Sequence, residues 1–395
     1  MYPLGGKKVR KIFLLFFLLL LLPRPVWAAD TTLAKARILD VQLFTENGKE
    51  TYAYTASIME GPYSGSHIQG QFTPYENTQY DFQIKKGMIV RVQLYVHDGD
   101  LYGDIIQVYR LHHIGILAII CAGAILLFGR GRGLGAIISL ILSGLCIFFI
   151  YIPMVLHGYE ILFATILCAV IIIVSGFLLI AGWTPKSLAS MAGTLGGIVA
   201  AAILATIFSR AVSITGTTGE EVYRLVYEKG ISLDFGDLFI SGVIIGTIGV
   251  VMDVSMSVSS FIFELKHQSP SMHYGNLVAS GLKVGKDIMA TMVNTLILAY
   301  VGTSMPLLFL FVSASYTFPA ALNLEIVSGE IIRSLSGTIG LVLTIPLTSL
   351  IAASIAYRST PGKYHFRPVN NDTVYGRKSD SGNFTVSILP GLIPT

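Results

Sequence analysis

Residues 238–263, LFISGVIIGTIGVVMDVSMSVSSFIF, and residues 288–312, IMATMVNTLILAYVGTSMPLLFLFV, decide how the rest of the chain is understood. Each is an apolar run longer than the roughly 20 residues a helix needs to cross a bilayer. The polar stretch Glu264–Lys286 joins them, so the expectation is a hairpin of two spans. Each run also carries groups that hydrocarbon rejects: Asp253 in the first, and Asp287, Thr291 and Asn294 at the start and middle of the second. A carboxylate inside a membrane is costly enough that it faces protein or water and usually marks function.

Helical spacing sharpens this. Gly246, Gly249, Asp253, Ser257, Ser260 and Glu264 recur at intervals of three and four, which gathers them on one face. Lys283, Asp287, Thr291 and Asn294 do the same in the second run. Antiparallel packing brings Asp253 and Asn294 to one depth, roughly 15 Å from the joining loop. Lys283, Lys286 and Asp287 then sit at the inner mouth. One reading is a polar pathway with Asp253 as proton or cation acceptor, lined by Ser257, Thr291 and Asn294. The other is structural: Asp253 bonds to serines, and Asn294 ties the bundle. For Asp287 the expected role is an ion pair with Lys283 or Lys286.

Composition places the whole chain in the same setting. Of 395 residues, 53% are hydrophobic and 13% charged, with mean hydropathy +0.68; soluble domains carry about 25% charged residues. The net charge of +4 is spread over separate segments, and no basic run is interleaved with aromatics, which argues against a nucleic-acid partner. Cys121, Cys146 and Cys168 lie in apolar segments at spacings of neither a metal site nor a disulfide framework, so buried packing is expected. The sequence contains no His-Glu-x-x-His, Gly-x-Ser-x-Gly, phosphate-loop or Gly-x-Gly-Asp motif. No catalytic residue, metal or cofactor is therefore assigned.

Outward from the hairpin, Lys7–Lys11 followed by the apolar run Ile12–Leu22 and the small residues near Ala28 have the form of a secretory signal over residues 1–29, with an uncleaved anchor as the alternative. Residues 30–111 change character. Alternating runs at Ala36–Val41, Thr51–Met59, Met88–Val96 and Ile105–Tyr109 are separated by turn signals at Asn47-Gly48, Glu60-Gly61-Pro62, Lys86-Gly87 and Asp98-Gly99. That pattern predicts a small extracytoplasmic all-β barrel, OB-like in size and strand number. Its many tyrosines serve strand formation, with a sugar- or peptide-binding face as the functional alternative.

Residues 112–357 predict seven spans, near 113–129, 133–153, 160–182, 188–209, 238–263, 287–312 and 331–356. Arg130, Arg132, Lys186, Lys266, Lys283, Lys286 and the tail basics fall on one side, which the positive-inside rule makes cytoplasmic. The fold class is thus an α-helical polytopic membrane protein with seven spans after a signal peptide and an N-terminal β domain outside. The C-terminus, with a polar tail over 358–395, lies inside. Thr218-Gly219-Glu220-Glu221 has the form of a capping box opening an amphipathic helix near 219–229 on the outer surface. At the start of the last span, Glu330 and Arg333 are helical neighbours that pair at its outer end. Gly-Thr-x-Gly occurs at Gly193–Gly196, Gly246–Gly249 and Gly337–Gly340; close helix packing is the ordinary reason.

With Gly249–Ser257 and Gly285–Gly302 quoted, the chain resembles the YibE/F-like family of bacterial multi-pass membrane proteins over residues ~35–357, and Glu330-Ile331-Ile332-Arg333 fits the same pattern. The resemblance implies a plasma-membrane location and, as partner, either a second family member or another copy of this chain; it supplies no mechanism. The function expected from the residues is ion-coupled transport or export of a small solute, with Asp253 as coupling group. The alternative is a sensor or assembly protein whose β domain binds a ligand or partner.

Overall fold

The computed structural model describes residues 33–46, 49–73, 83–97, 100–218, 220–228, 230–314 and 317–358. The signal segment, the Asn47-Gly48 and Asp98-Gly99 turns, Gly219 of the capping box and the C-terminal tail lie outside the described residues. The chain forms two compact units that divide between Trp183 and Thr184.

The first unit begins with five strands: β1 (Leu33–Glu46), β2 (Lys49–Ile58), β3 (His67–Phe72), β4 (Ile89–His97) and β5 (Asp100–Val108). They close into a barrel in the order β1-β2-β3-β5-β4, with β4 returning to β1. All neighbours run antiparallel except β3 and β5, which meet in parallel at Gln69 and Tyr102. Alternation drives this closure, because successive strand residues point to opposite faces. Ala34, Ala36, Ile38, Tyr52, Tyr54, Ala56, Ile58, Ile68, Val90, Val92, Leu94 and Ile105 point inward and form the core. Bulges at Ile38/Asp40 and Arg91/Val92 let long strands bend around it. The sequence pattern missed β3 and the first half of β5. Both contain a glycine that breaks the alternation, and Gly70 and Gly103 are needed there. A Cβ on Gly70 would strike the Tyr54 ring and the Gly103 carbonyl, to which the Tyr54 hydroxyl donates.

After the barrel come α1 (Leu111–Cys146), a π-helical turn (Ile147–Tyr151), α2 (Ile152–Leu156) and α3 (Ile161–Ala181). The segment Leu111–Leu156 spans 46 residues, about 70 Å as a straight helix. It is not straight. Arg130 leaves helical geometry at φ 46°, ψ −128°. A Cβ on Gly133 would run into the carbonyl oxygen of Ile125, a contact that a continuous helix forbids. The chain therefore doubles back at Arg130. α1 packs on α3, where Gly135 meets the Leu179 backbone. Cys146 and Cys168 bring their sulfurs to 3.1 Å in the same interface, whereas Cys121 is exposed, unlike the burial expected of it.

The second unit contains α4 (Pro185–Ala211), α5 (Glu220–Tyr223) with a π turn over Arg224–Glu228, α6 (Phe235–Gln268), α7 (Tyr274–Thr303), α8 (Met305–Ser313), α9 (Phe318–Leu322) and α10 (Glu325–Arg358). Local chemistry sets the starts. The Thr184 side chain accepts from Ser187 N–H with Pro185 at the first helical position, and Asp234 accepts from Asp237 N–H. α10 packs most extensively on α4 and then on α6, α4 and α6 touch each other, and α7 lies against α10 and α6. Among the described residues, six helical segments, counting Leu111–Leu156 as one, are long and apolar enough to cross a membrane.

One boundary differs clearly from the sequence expectation. The polar stretch 264–286 is not a loop: α6 runs on to Gln268, and α7 starts at Tyr274 after a short turn, residues 269–273. Lys266 closes that turn by donating to the carbonyls of Pro270 and Met272. Charged residues stay helical there because they lie on exposed faces while Leu277, Gly281 and Gly285 are buried. The helix then ends at Thr303, so the expected span 287–312 is divided between α7 and α8.

Candidate functional site

In α6 the face that packs inward is not the one carrying the carboxylate. Thr247, Val251, Val254, Ser255, Val258, Ser259 and Ile262 are buried, while Gly246, Gly249, Asp253, Ser257 and Glu264 lie exposed along the opposite side. α7 repeats this arrangement, with Lys283, Lys286, Asp287, Thr291 and Asn294 all exposed. Register between the helices follows from two close approaches: a Cβ on Gly281 would stand 2.6 Å from Ile262 Cδ1, and one on Gly246 would stand 3.1 Å from the Tyr300 hydroxyl. Interpolation puts Asp253 level with Thr291 or Met292, and Asn294 about 4 Å farther along. Lys283 and Asp287 lie within α7 rather than in a loop at its mouth.

Among the described residues, Asp253, Ser257 and Asn294 make no hydrogen bond, and Asp287 forms no ion pair with Lys283 or Lys286. Thr291 donates to the Ile288 carbonyl of its own helix (2.9 Å). The structural role foreseen for Asp253 and Asn294, holding the bundle together, falls instead to small hydroxyl residues between α4 and α6. Thr194 and Ser255 share a buried hydrogen bond of 2.6 Å, Ser190 donates to the Ser255 carbonyl, and Ser259 donates to the Lys186 carbonyl. The glycine motifs divide in the same way. Gly193, Gly337 and Gly340 are buried and Gly196 is half-buried where α10 crosses α4 and α6, as is the neighbouring buried Gly197, so close approach is their purpose. Gly249 has open space beside it.

A second polar cluster forms where the C-terminal end of α7 meets the N-terminal halves of α6 and α10. Arg333 donates to Glu330 at 2.9 Å and lies 5.2 Å from the centre of the Phe239 ring. Gly242 and Gly246 on α6 leave room for its guanidinium and for the Tyr300 hydroxyl. Among the described residues, Arg333 Nε and the Tyr300 hydroxyl are both buried without a hydrogen-bond partner. A cavity of about 230 Å³ reaches this cluster past Ile214, Gly216 and Phe235. Glu325 fixes its rim by accepting from the backbone N–H groups of Thr215 (2.7 Å) and Gly216 (2.8 Å) and from the Thr215 hydroxyl. Tyr300 and Glu325 were not foreseen from the sequence, because a single tyrosine near a span end and a single glutamate before one are ordinary interfacial residues.

The barrel carries a separate cleft of about 510 Å³ on its exterior. Residues from every strand line it, among them the exposed Asp40, Gln69, Gln71, Tyr95 and Asp104 and the buried Tyr54. Tyr95 and Tyr102 stack with centroids 6.0 Å apart, and the Tyr95 hydroxyl donates to Asp104 at 3.3 Å. Burial raises the Tyr54 phenol well above its usual range, with Asp104 and Tyr95 adding to the effect. Local desolvation and then the Asp104 carboxylate raise Tyr95 as well. Among the described residues no three histidine, cysteine or carboxylate side chains gather as a metal site.

A family model described as YibE/F-like protein matches residues 117–358, the helical part of the chain from α1 to the end of α10. No curated protein and no solved structure matches. The match covers more than half of the sequence, and the chain belongs to the YibE/F-like family.

Proposed function

With YibE/F-like membership as the footing, we propose that the protein is an ion-coupled membrane transporter of a small solute whose polar route follows the exposed faces of α6 and α7. The observation that carries this reading is the exposed Asp253 carboxylate, without a partner among the described residues, level with Thr291 on α7 and backed by glycine and serine along α6. Lipid cannot solvate such a face: an aspartate at the centre of a spanning helix costs roughly 2.5–3.5 kcal/mol on insertion scales. Water in a pathway, a solute, or another copy of the chain must therefore meet it. Asp253 carries the coupling ion in this reading, Ser257, Thr291 and Asn294 line the route, and Lys283, Lys286 and Asp287 flank its cytoplasmic approach.

The same reading takes the doubling back at Arg130 as a turn between two crossings, which gives seven spans. A straight helix of about 70 Å would run far past a hydrocarbon layer of about 30 Å, whereas two crossings fit it. The strand order and the parallel β3–β5 contact support an OB-like barrel, and the basic residues Arg130, Arg132, Lys186 and Lys266 favour placing it outside the plasma membrane with the C-terminus in the cytoplasm. The test is proton and sodium flux into proteoliposomes holding the purified protein. Flux in the wild type that disappears in Asp253→Asn, at equal reconstitution, is the expected result. Flux retained by Asp253→Asn refutes the coupling role.

A further inference from the structure

The barrel cleft is chemically unlike any site a transport pathway requires, and we propose that it binds a neutral oligosaccharide. Tyr95 and Tyr102 offer an aromatic platform, and Tyr95 is 44% exposed although it is a large ring. The negative face of such rings attracts the positively polarised C–H groups of a pyranose. Around the platform stand Asp40, Asp104, Gln69 and Gln71. The amides both donate and accept while the carboxylates accept only, which is the mixture that neighbouring hydroxyls of a sugar need. The volume of about 510 Å³ falls within the range of small-ligand clefts, about 300–1,000 Å³.

The lining also argues against the other occupants. It contains two carboxylates and no lysine or arginine, so it repels phosphate backbones. The amide donors work against a simple cation. The cleft lies outside the matched family region, which begins at residue 117, and its ligand does not depend on the transport reading.

The test uses the full-length protein in lipid nanodiscs, free of maltoside detergent, and saturation-transfer NMR with cellohexaose, maltohexaose and chitohexaose in separate samples. At least one hexasaccharide binds with a Kd at or below about 1 mM. Tyr95→Ala and Gln69→Ala each weaken it about tenfold or more. Lys86→Ala, in an exposed turn away from the cleft, leaves it unchanged. Near-UV circular dichroism verifies that the barrel of each variant is intact. Absence of transfer to all three sugars, or binding that survives both cleft substitutions, overturns the proposal. So does binding of oligodeoxythymidylate or spermidine at Tyr95 in place of the sugars.

Discussion

Replacing Gly197 by alanine, with Gly249→Ala as its partner experiment, tests whether the packing described here holds the second unit together. A Cβ on Gly197 would sit 2.8 Å from the Gly340 carbonyl oxygen and 3.1 Å from Thr344 Cβ, both on α10. The nearest atom of all, Thr344 Oγ1, is a side-chain hydroxyl and can rotate away. Doing so breaks its 2.8 Å bond to the Gly340 carbonyl in a fully buried position. The carbonyl cannot move without α10, so α4 and α10 must part. The crossing is reciprocal: a Cβ on Gly340 would meet Ala201 Cβ and the Gly197 carbonyl oxygen at 2.7 Å. Overpacking of this kind costs about 1–3 kcal/mol. Gly→Ala also favours helix by about 1 kcal/mol, but that gain is common to both variants and cancels in their difference. Gly249 has nothing within 4 Å, so its alanine variant carries the helix gain alone. Gly197→Ala should therefore be less stable than Gly249→Ala by about 1–3 kcal/mol. Reversible unfolding in mixed micelles, followed by circular dichroism, measures the gap. Equal stability of the two variants would refute the packing argument, as would Gly197→Ala being the more stable.

Two further outcomes follow from the first unit. Because burial raises the Tyr54 phenol, the folded barrel holds its proton more tightly than the unfolded chain; that stability is fully present below pH 10.0 and is lost progressively as pH rises above it. The slope contributed is at most about 1.4 kcal/mol per pH unit. Tyr54→Phe should remove this fall, and at neutral pH it should destabilise the barrel by about 1–3 kcal/mol through the stranded Gly103 carbonyl. Thermal unfolding followed by tyrosine circular dichroism between neutral pH and pH 11 or so shows either result; a pH dependence unchanged in Tyr54→Phe would sink the assignment. Maleimide added to the native protein in detergent should leave Cys146 and Cys168 unlabelled, since they are 1% and 0% exposed, while denaturation should release all three thiols. Rapid native labelling of more than one thiol contradicts the α1–α3 packing.

Much of the fold was legible because its signals are local. Alternation over Thr51–Met59 and Met88–Val96 identified two strands, and apolar length identified the helices long enough to cross a membrane. Local signals failed where a single residue carried two duties. Gly70 interrupts alternation to admit Tyr54, and Gly103 does so to leave room for Ile68 and Leu94, so β3 and half of β5 passed unseen. Charges between 264 and 286 resembled a loop because hydropathy averages over all sides of a helix, and exposed lysines mask the buried Leu277, Gly281 and Gly285. Of the candidate site, the spacing of Asp253 and its neighbours on one face was legible. Which neighbour would cover that face was not. The Arg333–Glu330 pair was readable from a three-residue interval, but Tyr300 comes from another helix and leaves no trace in local spacing.

The sequence by itself determined that this is a membrane protein of long apolar helices with a β domain before them, and that polar groups line up on α6 and α7. Length, periodicity and composition are properties of a short window and need no neighbours. Only the tertiary structure decided which side of each helix packs. In water the polar side would have to face out, but in a bilayer lipid and protein interior are equally apolar, so hydropathy cannot choose between them. The choice fell to shape. Glycine, serine and threonine let α4, α6 and α10 approach closely, and the side of α6 bearing Asp253 was left open.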